Sequence, residues 1–359
     1  MRRPDLAGDE MDDLAAVVPA LLRSLDALAF AARHVDPARP AAVLEAAGAP
    51  GQALREALPR LDGWPERLAG VRAALRDAGA AVLAGLEGLG AAVGDLRGLH
   101  RALRQLPRAE AALYPLAARL APVSRYFLSP AARGDDELQR RLAQAPAHPD
   151  TGVFHFGDAS GSRGGFSLYV PEYYAPDRDW PLVAALHGGA GNGGSFLWSW
   201  LRDARSAGAI LLAPTAVGDT WALSGPDRDT PNLARILGEV RGRWCIDAAR
   251  LLLTGMSDGG TFSYVSGLEA ASPFTHLAPV AAAFHPLVAE MADPDRIIGL
   301  PIHLVHGALD WMFPVALARQ AERALAAAGA KVTYLEIADL RHAYPREANP
   351  AILDWLGGA

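Results

Sequence analysis

The sequence has little cysteine: Cys245 is the single one in 359 residues. One thiol excludes an internal disulfide and a cysteine-based metal site. Positive charge is not in excess either, because 34 Lys and Arg face 40 Asp and Glu and the net charge is -6. That balance, without any long basic run, argues against a nucleic-acid partner. We expect a protein that needs neither a metal ion nor a cofactor.

Long apolar runs and targeting signals are also missing. We find no stretch of about 18 uncharged apolar residues, so no membrane-spanning helix is expected. Residues 1–5 carry two arginines, but acidic residues follow them instead of an apolar segment with a small-residue cleavage site. We therefore expect no secretory signal and a cytoplasmic location.

Residues 1–148 have a helical pattern, in which apolar residues recur three and four positions apart and β-branched runs are scarce. We predict one helix over residues 11–35 and shorter ones over 52–58 and 108–120. The longest pattern extends from Leu68 to Leu106 over about five heptads. Its glycines predict a break near 85–90, since each costs about 1 kcal/mol relative to alanine in a helix.

These features predict an all-α bundle or coiled-coil-like domain over residues 1–148. Two roles remain open for it. It is either a helical cap that buries its own apolar stripe or an oligomerisation module that forms a homodimer. Since the heptad core positions carry no ionisable residue, we assign no chemistry to this half.

Residues 149–359 have a different pattern, in which short β-rich segments alternate with helical ones. This alternation predicts a mostly parallel sheet of about eight strands, covered by helices on both faces. The first two strands have no helix between them, so an antiparallel start is expected. The predicted strands are 152–156, 166–170, 182–187, 209–213, 250–254, 277–283, 302–306 and 332–337.

An apolar strand leads into Gly255-Met256-Ser257-Asp258-Gly259, and a helical segment follows. This strand-turn-helix context indicates a nucleophile elbow, a sharp turn that exposes the serine hydroxyl at the edge of a sheet. Glycines on both sides leave room for the strand and the helix to approach each other. Ser257 is therefore the predicted nucleophile.

A serine hydroxyl is a poor nucleophile at neutral pH, so it needs a base and an acid that orients the base. Asp310 follows the strand predicted at 302–306, and His342 follows the last predicted strand. Both lie at the carboxyl ends of strands, the edge at which open α/β sheets carry their chemistry. The chain order serine, acid, histidine is also the one that accompanies such an elbow. We assign His342 as base and Asp310 as acid.

Each assignment has an alternative. Asp310 alone is compatible with a helix cap, and His342 alone with a surface loop histidine. His285 and His306 are competing bases, although His285 follows a strand that precedes the acid and His306 lies in or at the end of its strand. Asp339 is too close to His342 in sequence to orient it from the opposite side.

The developing oxyanion needs two backbone N–H donors. Asp258, directly after the nucleophile, is one, and Gly189 in a glycine-rich loop is the other. The spacing of that loop fits neither a Walker motif nor a dinucleotide fingerprint. Trp198, Trp221 and Trp311 are predicted to follow strand ends, where they either line an apolar substrate pocket or pack against the cap and the helix faces.

From about Phe166 to Leu356 the sequence resembles the polyhydroxybutyrate depolymerase and feruloyl esterase group of α/β-hydrolases. The matching motifs are the elbow, Leu-His-Gly-Gly at 186–189, Trp221 in the loop after the next strand, the segment 245–251 before the elbow, His-Gly-Ala-Leu-Asp at 306–310 and His-Ala-Tyr-Pro at 342–345. The resemblance implies an α/β-hydrolase fold and ester hydrolysis with the serine, histidine and aspartate assigned above. It does not include the helical half.

The expected substrate is a small-molecule carboxylic ester, with short-chain acyl or aryl esters first. Hydroxyalkanoate oligomers and lysophospholipid-like esters are the alternatives. A reading of another class is a helical interaction protein whose hydrolase half is a catalytically silent scaffold.

Overall fold

The computed structural model describes residues 8–290 and 292–358 and divides the chain into two compact units, Met1–Gln144 and Ala145–Ala359. The sequence-based boundary after residue 148 lies a few residues beyond this division. Residues 1–5, from which the absence of a secretory signal was inferred, lie outside the described residues.

The first unit is helical because its apolar residues recur every three or four positions and so share one face of each helix. In the first helix that face buries Leu21, Leu25 and Leu28 completely. Its helices are α1 (Gly8–Arg33), α2 (Pro40–Ala47), α3 (Pro50–Ala57), α4 (Ala69–Ala91), α5 (Leu96–Leu103), α6 (Gln105–Leu113), α7 (Ala121–Tyr126) and α8 (Asp136–Gln144). Shorter 3-10 turns lie at Leu58–Leu61, Glu66–Leu68, Tyr114–Leu116 and Ala131–Gly134.

The helix break predicted near residues 85–90 is wrong, because α4 continues through these glycines and ends at Ala91. Gly85 lies against Leu28, and a Cβ atom there would come within 2.7 Å of its Cδ2. Gly79 meets Leu58 in the same way, at 2.9 Å. These glycines let neighbouring side chains approach the helix backbone, and that packing outweighs their low helix propensity.

Helix α1 is long and apolar enough, by length and composition alone, to cross a membrane. A buried core helix and an N-terminal signal sequence meet the same criterion, and 56% of the apolar window is buried inside the protein. Arg23 and Asp26 interrupt its apolar residues, which is why a search for uncharged runs does not find it.

The second unit contains one eight-stranded sheet with the order β1-β2-β4-β3-β5-β6-β7-β8. Strands β1 and β2 pair antiparallel, as do β2 and β4, and the remaining pairs are parallel. This is the predicted α/β-hydrolase architecture. The strands are β1 (Gly152–Phe156), β2 (Phe166–Val170), β3 (Trp180–Leu186), β4 (Ile210–Pro214), β5 (Ile246–Met256), β6 (His276–Val280), β7 (Pro301–Gly307) and β8 (Lys331–Ile337).

The strands in the middle of this sheet are apolar without alternation. The second half of β3 and all of β4 are buried, as expected for parallel strands covered on both faces. Edge strand β8 alternates between exposed and half-buried residues over most of its length. The helices of this unit are α9 (Gly193–Phe196), α10 (Leu201–Ala207), α11 (Asp229–Arg241), α12 (Asp258–Gly267), α13 (Leu287–Glu290), α14 (Pro294–Ile297), α15 (Val315–Ala327) and α16 (Asn349–Gly357), with 3-10 turns at Leu197–Ser199 and Arg346–Ala348.

Because β3, β5, β7 and β8 are parallel, their carboxyl ends lie at one edge of the sheet. Ser257 follows β5, Asp310 follows β7 by a short loop, and His342 follows β8. The glycine-rich loop follows β3 at the same edge. Ser257, Asp310 and His342, which are far apart in the sequence, therefore lie at the same edge of the sheet.

A buried polar network joins α16 to α10. Asn349 is fully buried, and its Nδ2 donates to Asp203 Oδ2 and to the Ser199 carbonyl, both at 2.9 Å. The Tyr344 hydroxyl donates to Asn349 Oδ1 at 2.8 Å. Burial raises the pKa of the Asp203 carboxyl to about 6, although the Asn349 hydrogen bond opposes the shift.

This raised pKa predicts a pH-dependent stability. The folded state binds the Asp203 proton more tightly than the unfolded chain, so the cost of the buried carboxylate is present above pH 6 and disappears as the pH falls toward 4. A shift of about two units corresponds to about 3 kcal/mol at most. The free energy of unfolding of Asp203→Asn should therefore exceed that of the wild type at pH 7.5 by more than it does at pH 4.5. Urea unfolding of both proteins across this range measures the difference, and a difference that stays constant would contradict the prediction.

Candidate active site

Ser257 occupies a backbone conformation that residues with a side chain rarely adopt, with φ of 57° and ψ of -121°. The strain is retained because the surroundings allow no alternative. A Cβ atom on Gly255 would come within 2.5 Å of the Gly259 carbonyl group, and one on Gly259 within 2.5 Å of the Leu186 carbonyl oxygen. The two glycines therefore allow β3, β5 and α12 to approach closely beneath the serine.

The structure brings Ser257, His342 and Asp310 into one hydrogen-bonded row. His342 Nε2 lies 3.1 Å from Ser257 Oγ, and His342 Nδ1 lies 2.8 Å from Asp310 Oδ2. All three side chains are nearly buried, with Ser257 8% and Asp310 7% exposed. With Nδ1 donating to the carboxylate, Nε2 is free to accept the serine hydroxyl hydrogen, which is the arrangement that a general base requires.

Asp310 does not cap α15, whose N-cap residue is Pro314, and it bonds both the turn that follows it and His342. Its Oδ1 accepts the backbone N–H groups of Met312 and Phe313, at 2.9 and 2.8 Å, so it caps the turn that follows it. Its Oδ2 accepts from His342. Burial alone raises the pKa of this carboxyl, but the hydrogen bonds from His342 and Phe313 outweigh burial and hold the pKa below its usual value. The group therefore stays ionised beside the imidazole.

The competing bases are placed elsewhere. His285 is exposed, and its Nδ1 accepts the Leu287 N–H at 3.2 Å. His306 is buried, and its Nε2 lies 2.8 Å from the Phe313 carbonyl oxygen. The His342 Nδ1 hydrogen bond goes to Asp310, so the competing acid Asp339 is not its acceptor.

The glycine-rich loop after β3 is held by His187. This imidazole accepts the Ala216 N–H at Nε2, at 3.1 Å, so its hydrogen lies on Nδ1, which donates to the Gly188 carbonyl at 2.7 Å. Burial lowers the pKa of His187 to about 4, so the ring stays neutral at physiological pH. The ring thus bonds Gly188 in the loop after β3 and Ala216 in the loop after β4, and it fixes the glycine-rich backbone next to the elbow.

The glycine-rich loop lies against the elbow residues Ser257 and Asp258. A Cβ atom on Gly188 would be 3.6 Å from Ser257 Cβ, and one on Gly189 would be 2.8 Å from Asp258 Oδ2. The Asp258 carboxylate accepts the Thr220 hydroxyl at 2.5 Å, so its position is set by the loop after β4. Asp258 is also the first residue of α12, and Ser257 is the N-cap residue of that helix. The N–H groups of the first helical turn point toward this end of the helix.

The three tryptophans predicted near the site have different environments. Trp311 is 48% exposed, and its ring centroid lies 6.0 Å from the His342 ring. Trp198 and Trp221 are each 3% exposed. Trp221 donates its indole N–H to the His187 carbonyl at 2.7 Å and stacks on Phe262, so it supports the glycine-rich loop from below.

The sequence predicts a solvated turn at residues 227–229, but the structure buries Asp229, which is the first residue of α11. The side chain is 2% exposed, and its two carboxylate oxygens accept the N–H groups of Val217 and Ala222, both at 2.8 Å. It therefore braces the loop that carries Thr220 and Trp221. Within residues 8–290 and 292–358, no group of three or more His, Cys, Asp or Glu side chains could hold a metal ion.

The close approach at the elbow predicts that Gly255→Ala destabilises the protein by about 3 kcal/mol, because the new methyl group meets backbone atoms that cannot move aside. The matched control is Gly238→Ala in α11, where a Cβ atom has nothing within 4 Å. Alanine there should stabilise the helix by up to about 1 kcal/mol. Urea unfolding at constant pH compares them, and equal stability of Gly255→Ala and wild type would refute the packing argument.

No protein-family model matches the chain. It is 28% identical over 157 residues to the probable feruloyl esterase C of Aspergillus terreus, covering 42% of this chain and 56% of that protein. It is also 30% identical over 149 residues to the bifunctional acetylxylan esterase/xylanase XynS20E of Neocallimastix patriciarum, covering 40% and 21%. The chain thus spans little more than half the length of the first relative. A crystal structure of a thermostable esterase matches with a TM-score of 0.47 and 25% identity, covering 57% and 62% of the two chains.

The sheet order, the elbow after β5 and the sequence similarity agree with one another. The Ala145–Ala359 unit therefore has the α/β-hydrolase fold with a serine elbow, and the chain is similar in sequence to the feruloyl esterase group.

Proposed function

We propose that this protein hydrolyses carboxylic esters, with Ser257 as nucleophile, His342 as general base and Asp310 as the acid that orients it. The observation that carries the proposal is the hydrogen-bonded row from Ser257 Oγ through His342 to Asp310 Oδ2. The similarity to curated esterases over about 157 residues supports the same reaction.

The reaction has two steps. Ser257 Oγ attacks the ester carbonyl carbon while His342 Nε2 takes the hydroxyl proton, and the resulting imidazolium then gives that proton to the departing alcohol. Water repeats the sequence on the acyl-enzyme, which releases the acid and restores the serine. The N–H groups of Gly189 and Asp258 are the proposed donors to the oxyanion.

The electrostatics favour this division of roles. Asp310 is ionised because its hydrogen bonds lower its pKa, and its negative charge stabilises the imidazolium of His342 in the transition state. The site is nearly closed to water around both side chains, so their attraction is stronger than it would be in solvent.

The proposed substrates are short-chain acyl or aryl esters. The exposed ring of Trp311 lies beside His342, and Met312 next to it is 43% exposed, so apolar surface is available at the reacting centre. A substrate group that covers these side chains would remove their apolar area from water. Hydroxyalkanoate oligomers and lysophospholipid-like esters remain alternatives of the same reaction type. A catalytically silent scaffold is disfavoured by the intact hydrogen-bonded row.

The first test is the loss of the nucleophile. Ser257→Ala should lower turnover of p-nitrophenyl butyrate by about 10⁴-fold or more and abolish labelling by a fluorophosphonate probe, because Ser257 supplies the hydroxyl that is paired with His342. The exposed Ser224, in the loop between β4 and α11, provides the control. Ser224→Ala should keep wild-type turnover. Undiminished turnover of Ser257→Ala would overturn the assignment, and a folded wild type that resists the probe would favour the silent scaffold.

The second test concerns substrate choice. Trp311→Ala should raise the KM for aryl and C4–C8 acyl esters by about 10-fold and that for acetate esters by much less, because only larger groups reach the ring; about 1.4 kcal/mol corresponds to this factor. A p-nitrophenyl ester series from C2 to C12 with an added aryl ester measures it. Leu335→Ala, which removes an exposed side chain on β8, is the control. An equal change in KM for every ester would exclude Trp311 from substrate recognition.

A further inference from the structure

A second histidine lies against the proposed triad acid. His306, in β7, is 2% exposed and takes no part in the reaction proposed above. Its Nε2 lies 2.8 Å from the Phe313 carbonyl oxygen and 3.6 Å from Asp310 Oδ2. The shorter distance is a hydrogen bond, and the longer one exceeds hydrogen-bond range.

These distances determine where the His306 hydrogen lies. A carbonyl oxygen only accepts hydrogen bonds, so Nε2 must carry the hydrogen and donate it to Phe313. Asp310 Oδ2 consequently keeps its hydrogen bond to His342 and gains none from His306. The charge of Asp310 is therefore available to the base.

Phe313 connects His306 to Asp310 and to His342. Its N–H donates to Asp310 Oδ1 at 2.8 Å, and its ring meets the His342 ring edge to face with a centroid distance of 5.4 Å. One residue thus holds the acid by its backbone and borders the base by its side chain. The His306 hydrogen bond closes the loop 307–313 at the residue on which both depend.

We propose that His306 is a positioning residue for the ester hydrolysis proposed above, on which this inference depends. By bonding the Phe313 carbonyl, His306 keeps the Asp310 carboxylate and the His342 ring in the positions that the hydrogen bonds to each other and to Ser257 require. The charged groups that face His306 are Asp310, next to it in the loop, and Glu336, its partner on β8. Glu336 is held by Arg319 and Tyr334, so Asp310 is the carboxylate that a displaced imidazole would disturb.

The test compares two replacements that differ in one donor. Glutamine at position 306 places an amide N–H near the position of Nε2, whereas leucine fills the volume without a donor. His306→Leu should lower kcat for p-nitrophenyl butyrate about 10- to 100-fold with the KM within about 2-fold, because small misplacements of reacting groups have effects of this size. His306→Gln should recover kcat to within about 3-fold of wild type.

The matched control is His303→Leu. His303 is a buried histidine on the same strand, 6% exposed, and its ring packs against Trp355 instead of the triad residues. This substitution should change the thermal midpoint and leave kcat unchanged. The positioning role is refuted if His306→Leu keeps kcat within about 3-fold of wild type, if glutamine is no better than leucine, or if His303→Leu loses kcat as His306→Leu does.

A measurement on the wild type is independent of both folding of the variants and turnover. Nitrogen-15 NMR of histidine-labelled protein at pH 7.5 should show a hydrogen on His306 Nε2. A ring with its hydrogen on Nδ1 alone would overturn the inference. If the wild type hydrolyses no ester, the proposed function fails, and the tautomer still decides whether the His306–Phe313 bond exists.

Discussion

The site depends on how closely three backbone segments approach each other at the elbow. Strand β5, helix α12 and the loop after β3 meet where Gly255 and Gly259 have no side chain, and Ser257 is held at a positive φ above them. This contact turns the serine outward at the strand end and brings Gly188 and Gly189 next to it. If the segments moved apart, Ser257 would separate from Gly189, one of its proposed oxyanion donors.

Around that contact, several buried polar groups have hydrogen-bond partners. His187 bonds two backbone groups, Asp310 accepts three hydrogen bonds, and Asp229 accepts two N–H groups from the loop after β4. Unpaired groups in such surroundings would lower stability by roughly 1–3 kcal/mol each. The loops at the candidate site lie outside regular secondary structure, and these side chains fix their positions. His306 does the same for the loop that carries Asp310.

Much of the fold was predictable because it follows from local patterns. Short apolar segments that alternate with helical ones predicted all eight strands and the antiparallel start, and β1 and β2 have the predicted bounds. The helix break near residues 85–90 was wrong because Gly79 and Gly85 serve contacts with Leu58 and Leu28, which lie far away in the sequence. The burial of Asp229 was not predicted, because the N–H groups that it accepts belong to an irregular loop whose course is set by tertiary packing.

By itself, the sequence determined that a serine elbow, an acid and a histidine occur in hydrolase order at strand ends, because strand periodicity and glycine placement are local properties. Only the tertiary structure decided which histidine of several faces Ser257, which acid it bonds, and that Trp221 supports a loop while Trp311 borders the site. The reason is geometric. Hydrogen bonds are made at about 3 Å, and the distances between residues 85 positions apart are set by the packing of the sheet and its loops.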